Sequence, residues 1–446
     1  MSQNSYSNPY RYYVLAVLFI AYVFNFVDRQ VMTILIEPIK NEFGASDTQM
    51  GLLSGFAFAI FYASLGVPVA RLADKWSRRN VLTISITLWS AITALCGMAA
   101  NFWQMALLRI GVGVGKAGGT PPSQSLLSDY FPQEKRSLAL GIYSAAPHVG
   151  VLVGLFGGAM IADAYGWRVV FVVFGLPGLL LAPILYFTVR EPVRDIKPQP
   201  DAKDSLWGTV KQLYKMPTFS YISLAIGVTA ISAFGLGAWA PSFLIRIHGI
   251  SIVEAGLYLG LVGAFCGGIG AVLGGYICDR MAARNPVWQL RFPAISILLS
   301  LPFLMGFILW PETDTVAILG KNVPVAILFM MCSTLLAGFW VGPTYAAAQN
   351  LTPPECRAQA SALLLLAFNL LGMGFGPFLI GVLSDAFVDT YGAESIRYAL
   401  AWSLVTVVLG AFFFWKGSGH YRQAMEGREQ EEDYPAELGN STESTA

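Results

Sequence analysis

The sequence predicts an all-α membrane protein: twelve transmembrane helices in two pseudo-symmetric six-helix bundles. Three observations predict it. Of 446 residues, 55% are hydrophobic and 12% charged, against about 25% charged in a soluble globular chain. The apolar residues fall into runs of about the 20 residues that a helix needs to cross a hydrocarbon core of about 30 Å. Signals in the first six runs return in the last six.

The first six spans lie near 13–36, 48–70, 81–100, 103–127, 137–161 and 168–189. The last six lie near 219–246, 252–277, 293–310, 323–348, 358–384 and 395–416. Ser46 and Gln49 have the spacing of a capping box at the start of the second span. Residues 190–217 are polar, with Pro192, Pro198 and Pro200, and read as a cytoplasmic linker between the bundles 13–189 and 218–416. Residues 1–12 are polar and lack a short apolar stretch with a cleavage site, so they read as a retained tail rather than a signal peptide. The acidic segment 417–446, with its Glu429–Asp433 run, reads as a disordered tail.

Orientation follows from basic residues, which gather on the cytoplasmic side. Of the 28 Lys and Arg, only Lys40, Arg168, Arg246, Lys321 and Arg397 fall in the loops opposite the termini, and only Arg29, Arg109 and Lys116 within spans. Both termini are therefore expected in the cytoplasm, with the protein integral to the cell membrane and monomeric. A net charge of +1 implies no polyanion surface, and no nucleic-acid module is present. Cys96, Cys266, Cys278, Cys332 and Cys356 form no CxxC pair and read as small buried hydrophobes. Asn440-Ser-Thr matches a glycosylation triplet by chance, in the expected cytoplasmic tail. No metal or cofactor is implied.

The repeat is visible in the loops. Between the second and third spans stands Ala70-Arg-Leu-Ala-Asp74-Lys-Trp-Ser-Arg78-Arg79. Between the eighth and ninth stands Gly275-Tyr-Ile-Cys-Asp279-Arg280, then Arg284. Pro132-Gln-Glu134-Lys-Arg136 is echoed by Pro353-Pro-Glu355-Cys-Arg357. Gly150, Gly154 and Asp163 match Gly372, Gly376 and Asp385 at one common offset. Such internal symmetry is a common transporter plan.

These paired loops resemble the inner-loop motif of the major facilitator superfamily over residues 13–416. Ala70 and Ser77 stand where that motif usually has Gly. The resemblance implies that Asp74, Arg78, Arg79, Asp279, Arg280, Arg284, Glu134 and Arg136 gate the cytoplasmic side, with the Asp capping a neighbouring helix and the bases latching the two halves. The alternative is basic-inside topology with a helix cap. Asn25-Phe-Val-Asp28-Arg29 and Arg109-Ile-Gly-Val-Gly-Val-Gly-Lys116-Ala resemble the Spinster branch, whose members move lysolipids and sphingoid phosphates. That branch usually has Glu where this chain has Lys116. Similar bacterial sequences occur among organic-anion carriers.

Charges inside a span cost about 2.5–3.5 kcal/mol each on insertion scales and mark functional sites. At 1.5 Å per residue, Asp28 lies about 22 Å from the inner side and Arg109 about 9 Å from the outer side. These depths nearly coincide in a core about 30 Å thick. Arg109 and Lys116 are two helical turns apart, on one face. Gly111, Gly113 and Gly115 permit close packing through a small-xxx-small spacing, or leave room for a ligand. One reading is an anion site on Arg29 or Arg109, whose planar donors suit carboxylate or phosphate, with Asp28 as proton carrier. The other is a static ion-pair cluster. A buried carboxylate at position 116 would carry protons. Lys116 instead implies either a different coupling or a substitution that stalls transport.

The seventh and tenth spans carry Phe234, Trp239, Phe339, Trp340 and Tyr345 in place of charges. They are either packing or an apolar wall for a substrate tail. His148 is either a packing residue or a proton relay. The expected partners are a small-molecule or lysolipid substrate, protons and membrane lipid. The expected activity is proton-coupled alternating-access transport of an amphipathic organic anion. Transport of small organic anions or sugar acids, or a sensor on the same scaffold, are the alternatives. No metalloprotease, serine-hydrolase or phosphate-loop pattern supports an enzyme.

Overall fold

The computed structural model describes residues 6–192, 206–318, 320–352 and 356–432. Among the described residues, ten helices are long and apolar enough to cross a membrane. One of them, Gln359–Met425, turns at Gly392–Glu394 and contains two spans. A further span is broken into Phe102–Lys116 and Thr120–Tyr130. Gly118, Gly119 and the prolines at 121 and 122 explain that break, because proline has no N–H to continue the ladder. The result is twelve spans.

In chain order the spans begin with Asn8–Ile34, then Asp47–Ser54 with Phe56–Lys75, then Arg78–Cys96. The broken fourth follows, then Gln133–Tyr165 and Trp167–Thr188. The second half holds Pro217–His248, Ile252–Ala282, Trp288–Leu309 and Val325–Leu351. The eleventh covers Arg357–Ala367, Phe368–Phe375 and Gly376–Tyr391, and the twelfth Ser395–Ser403 with Val405–Glu432. The Ser46–Gln49 capping box is present in full.

Three boundaries differ from the sequence reading. The first span starts at Asn8 rather than 13, since Pro9 fits the first helical turn. The linker holds a helix, Leu206–Lys215, whose Leu213 is buried. The acidic tail is helical as far as Glu432, because its Gln, Ala, Met, Glu and Arg residues favour helix. Residues 433–446 lie outside the described residues, as do 193–205 of the predicted linker and Glu355. An exposed hairpin, Thr315–Ile318 with Lys321–Pro324, joins the ninth and tenth spans.

The two halves repeat in packing as well as sequence. A Cβ added at Gly150 or Gly154 would lie 2.9 Å from a carbonyl of the first span, Val23 or Val27. At Gly376 it would lie 2.4 Å from the Ile231 carbonyl of the seventh. Both spans carry a π turn nearby, at Val153–Gly157 and Phe368–Phe375. In the fourth span the glycines are used up by packing: Gly113 approaches the Phe58 carbonyl and Gly115 the Trp89 N–H, leaving no room there for a ligand.

On the face away from the termini, the second and eleventh spans touch backbone to backbone. A Cβ at Gly51, Gly55 or Gly381 would lie 2.3–2.5 Å from a carbonyl of the facing span. Gly55→Val is therefore expected to hold this seam open. Labelling of an introduced Thr48→Cys by a membrane-impermeant maleimide should rise several-fold. Unchanged labelling would show that the seam does not depend on this approach.

Candidate functional site

The first, third and fourth spans converge on one carboxylate. Asp28 is 2% exposed. Its Oδ2 accepts from Lys116 Nζ at 2.5 Å, and its Oδ1 from Thr93 Oγ1 at 2.8 Å. Arg109 Nη1 reaches the two oxygens at 3.3 and 3.4 Å, a looser contact. Lys116 also donates to the Asn25 carbonyl at 2.7 Å. Two hydrogen bonds and a guanidinium satisfy a charge that would otherwise be costly to bury. The Phe58 ring lies 5.5–5.8 Å from Arg29, Arg109 and Lys116 and offers its negative face to all three.

Arg29 is different. It is half-buried over Phe26, and among the described residues no carboxylate lies within ion-pair distance of it. Its Nε, like that of Arg109, is buried without a hydrogen-bond partner. The cluster thus holds three cations and one carboxylate. Among the described residues, the other acids of the first half stand at span ends or in loops.

The next residue, Gln30, lines a cavity of about 270 Å³ that otherwise belongs mostly to the second half. Leu236, Val262, Leu304, Met330 and Trp340 are among its walls, with the hydroxyls of Thr229, Ser232 and Ser333. No charged residue lines it.

Of the five aromatics expected to meet substrate, Trp340 lines this cavity. Trp239 does not: it is fully buried and donates from Nε1 to the Pro377 carbonyl at 2.8 Å. Phe234 packs edge-on to Phe368, and Phe339 stacks on Phe292. Tyr345 is half-buried and also absent from the lining. His148 packs against Gly267 and Gly268 of the eighth span and bonds to no member of the charge cluster. The sequence reading missed Thr93, the Asn25 carbonyl and Gln30, because uncharged polar groups in a span give no signal of their own.

The predicted gate residues do not bridge the halves in this conformation. Arg78 is 2% exposed and bonds within its own half, to Glu191, Asp129 and Ser125. Arg79 donates its backbone N–H to Glu191 and lies over Tyr186. Arg280 lies over Tyr276, and Asp279, Arg284, Glu134 and Arg136 are exposed. The Asp74 side chain falls outside the described residues.

The bridging charges stand on the opposite face, which the sequence reading overlooked. Arg246 of the seventh span forms a bidentate pair with Asp47 at 2.7 and 2.8 Å and a bond to Glu37. Lys40 and Ser384 also bind Asp47. Asp385 of the eleventh span accepts from the backbone N–H groups of Asp47 and Thr48, capping a helix of the other half. These contacts close that face between the two halves.

Two related six-helix bundles bridged at one face are the plan of a membrane carrier. Residues 18–377 match the family model described as Major Facilitator Superfamily, and the chain belongs to that superfamily. It is an integral membrane transporter, not an enzyme. It is 33% identical to an MFS-type efflux pump of Mycolicibacterium smegmatis, over 92% of this chain and 93% of that one. It is 27% identical to protein spinster homolog 1 of Xenopus tropicalis, over 91% and 80%. A crystal structure of a bacterial homolog of the human lysosomal transporter Spinster, inward-facing and unoccupied, superposes with a TM-score of 0.82 at 30% identity, covering 94% of this chain and 99% of that one.

Asp28→Asn keeps the shape of the cluster but leaves three cations without a counter-charge. Breaking a buried pair costs about 3–5 kcal/mol, so thermal unfolding in detergent should begin at a clearly lower temperature. An unchanged transition would mean that the cations do not depend on Asp28.

Proposed function

We propose that this chain carries an amphipathic organic anion by alternating access, with the charged head on Arg29 and Arg109 and the apolar tail in the second-half cavity. The observation that carries this reading is a pair of buried guanidinium Nε atoms lacking partners, on Arg29 and Arg109, with the residue next to Arg29, Gln30, lining an uncharged cavity. Buried donors without acceptors favour a ligand that supplies them. A cavity of about 270 Å³ is near the lower end of ligand pockets, about 300 Å³. The lysine- and arginine-rich terminal face is taken as cytoplasmic. On that assignment both termini are cytoplasmic, the protein sits in the cell membrane, and the face bridged by Arg246 and Asp385 lies outside. The working unit in this reading is a monomer.

A short organic anion or sugar acid is the second reading. A 25% identical relative, the probable galactarate/D-glucarate transporter GudP of Bacillus subtilis, favours it. Proton coupling, expected from the sequence, requires Asp28 to be released by its cationic partners before it takes up a proton.

Gly237 separates the two readings. It lines the cavity, and a Cβ there would meet nothing within 4 Å. Gly237→Phe should therefore fill the cavity without disturbing the helix. Each buried methylene contributes about 0.8 kcal/mol, so binding of dodecyl phosphate should weaken at least tenfold while D-glucarate binding changes by less than about twofold. Equal effects on both probes would remove the tail from this cavity.

A further inference from the structure

We propose that Lys116 takes the place of a coupling proton, so that this carrier exchanges one anion for another and does not run on a proton gradient. The inference rests on the anion-carrier reading above.

In a proton-coupled design, an anionic substrate takes the arginine away from the carboxylate, and the carboxylate is then neutralised by a proton. Here a second cation already holds that carboxylate. Lys116 is the closer partner of Asp28, at 2.5 Å, and Arg109 the looser one, at 3.3 Å. A substrate anion that engages Arg109 therefore removes the weaker contact and leaves the stronger. Asp28 keeps its charge compensated throughout, by a cation covalently tied to the fourth span. Lys116 cannot leave, since its ammonium is wholly buried and also anchored to the Asn25 carbonyl.

Among the described residues, no other group around Asp28 replaces the missing proton site. The titratable and charged groups facing the cluster are Arg29, Arg109 and Lys116, the phenols of Tyr22 and Tyr62, and the Cys96 thiol. Tyr143 stacks on Tyr22 with ring centroids 4.5 Å apart. None of these is a carboxyl or imidazole.

The same charge count sets the mode of transport. Three cations against one carboxylate leave a fixed surplus of positive charge. To change faces, the carrier must pass through a state closed on both sides, and closing empty would seal that surplus away from water. Burying unpaired charge is costly. An anionic head supplies the missing charge, so turnover in either direction requires an anion.

The test uses proteoliposomes loaded with radiolabelled dodecyl phosphate, and separately with D-glucarate. Efflux is compared with and without the same unlabelled anion outside, and with a pH gradient imposed or collapsed. The exchange mode predicts that the outside anion accelerates efflux of at least one probe by about tenfold or more, and that the pH gradient has no effect. Lys116→Glu, which sets two carboxylates against two cations, should lose the dependence on outside anion and become sensitive to the pH gradient, while Lys116→Met, which still leaves one cation in surplus, should keep that dependence and gain the pH sensitivity. Lys116→Met also serves if Lys116→Glu fails to fold. Accumulation driven by pH in the unaltered protein, without stimulation by outside anion, would overturn the exchange mode and leave the anion carrier standing. No flux of either probe in any version, with the protein folded, would remove the carrier reading and the exchange mode with it.

Discussion

Everything in the first half turns on how Asp28 is neutralised. Its carboxylate joins three spans at one point, through Lys116, Arg109 and Thr93. A charge buried among helices has to be matched, and the matching fixes which faces of those helices meet. Gly113 and Gly115 then allow the fourth span to approach the second and third at backbone distance. Arg29 lies beside this cluster, half-buried over Phe26 and Phe58.

The second half solves a different problem. Its central wall has hydroxyls and apolar side chains instead of charges, and it encloses space rather than filling it. The duplicated scaffold has thus specialised. One bundle supplies an electrostatic surface, the other an apolar volume, and Gln30 stands where they meet. The packing glycines recur in both halves while the residues at their centres differ.

The spans were legible because a membrane helix needs about 20 apolar residues and little else. Depth counting from span ends was enough to bring Asp28 and Arg109 together. Lys116 could be placed on the same face by periodicity, but its second acceptor, the Asn25 carbonyl, belongs to backbone and has no sequence signature. The aromatics show the opposite limit. Trp239 and Trp340 look alike in the sequence, yet one is bonded to Pro377 and the other lines the cavity. Which way a side chain points within an apolar helix depends on neighbours more than a hundred residues away. The same is true of Arg246, whose role in orientation concealed its role in closure.

The two halves have not kept their symmetry at the closed face. Asp385 caps the second span through main-chain N–H groups. Its counterpart in the repeat, Asp163, is exposed, and among the described residues it makes no such bond to the eighth span, whose first turn is instead capped from within by Ser251 and Glu254. A contact made to main chain tolerates almost any substitution in the segment it grips, so drift at positions 47 and 48 does not erode it as long as the carboxylate remains. One seam is therefore bolted and the other merely closed.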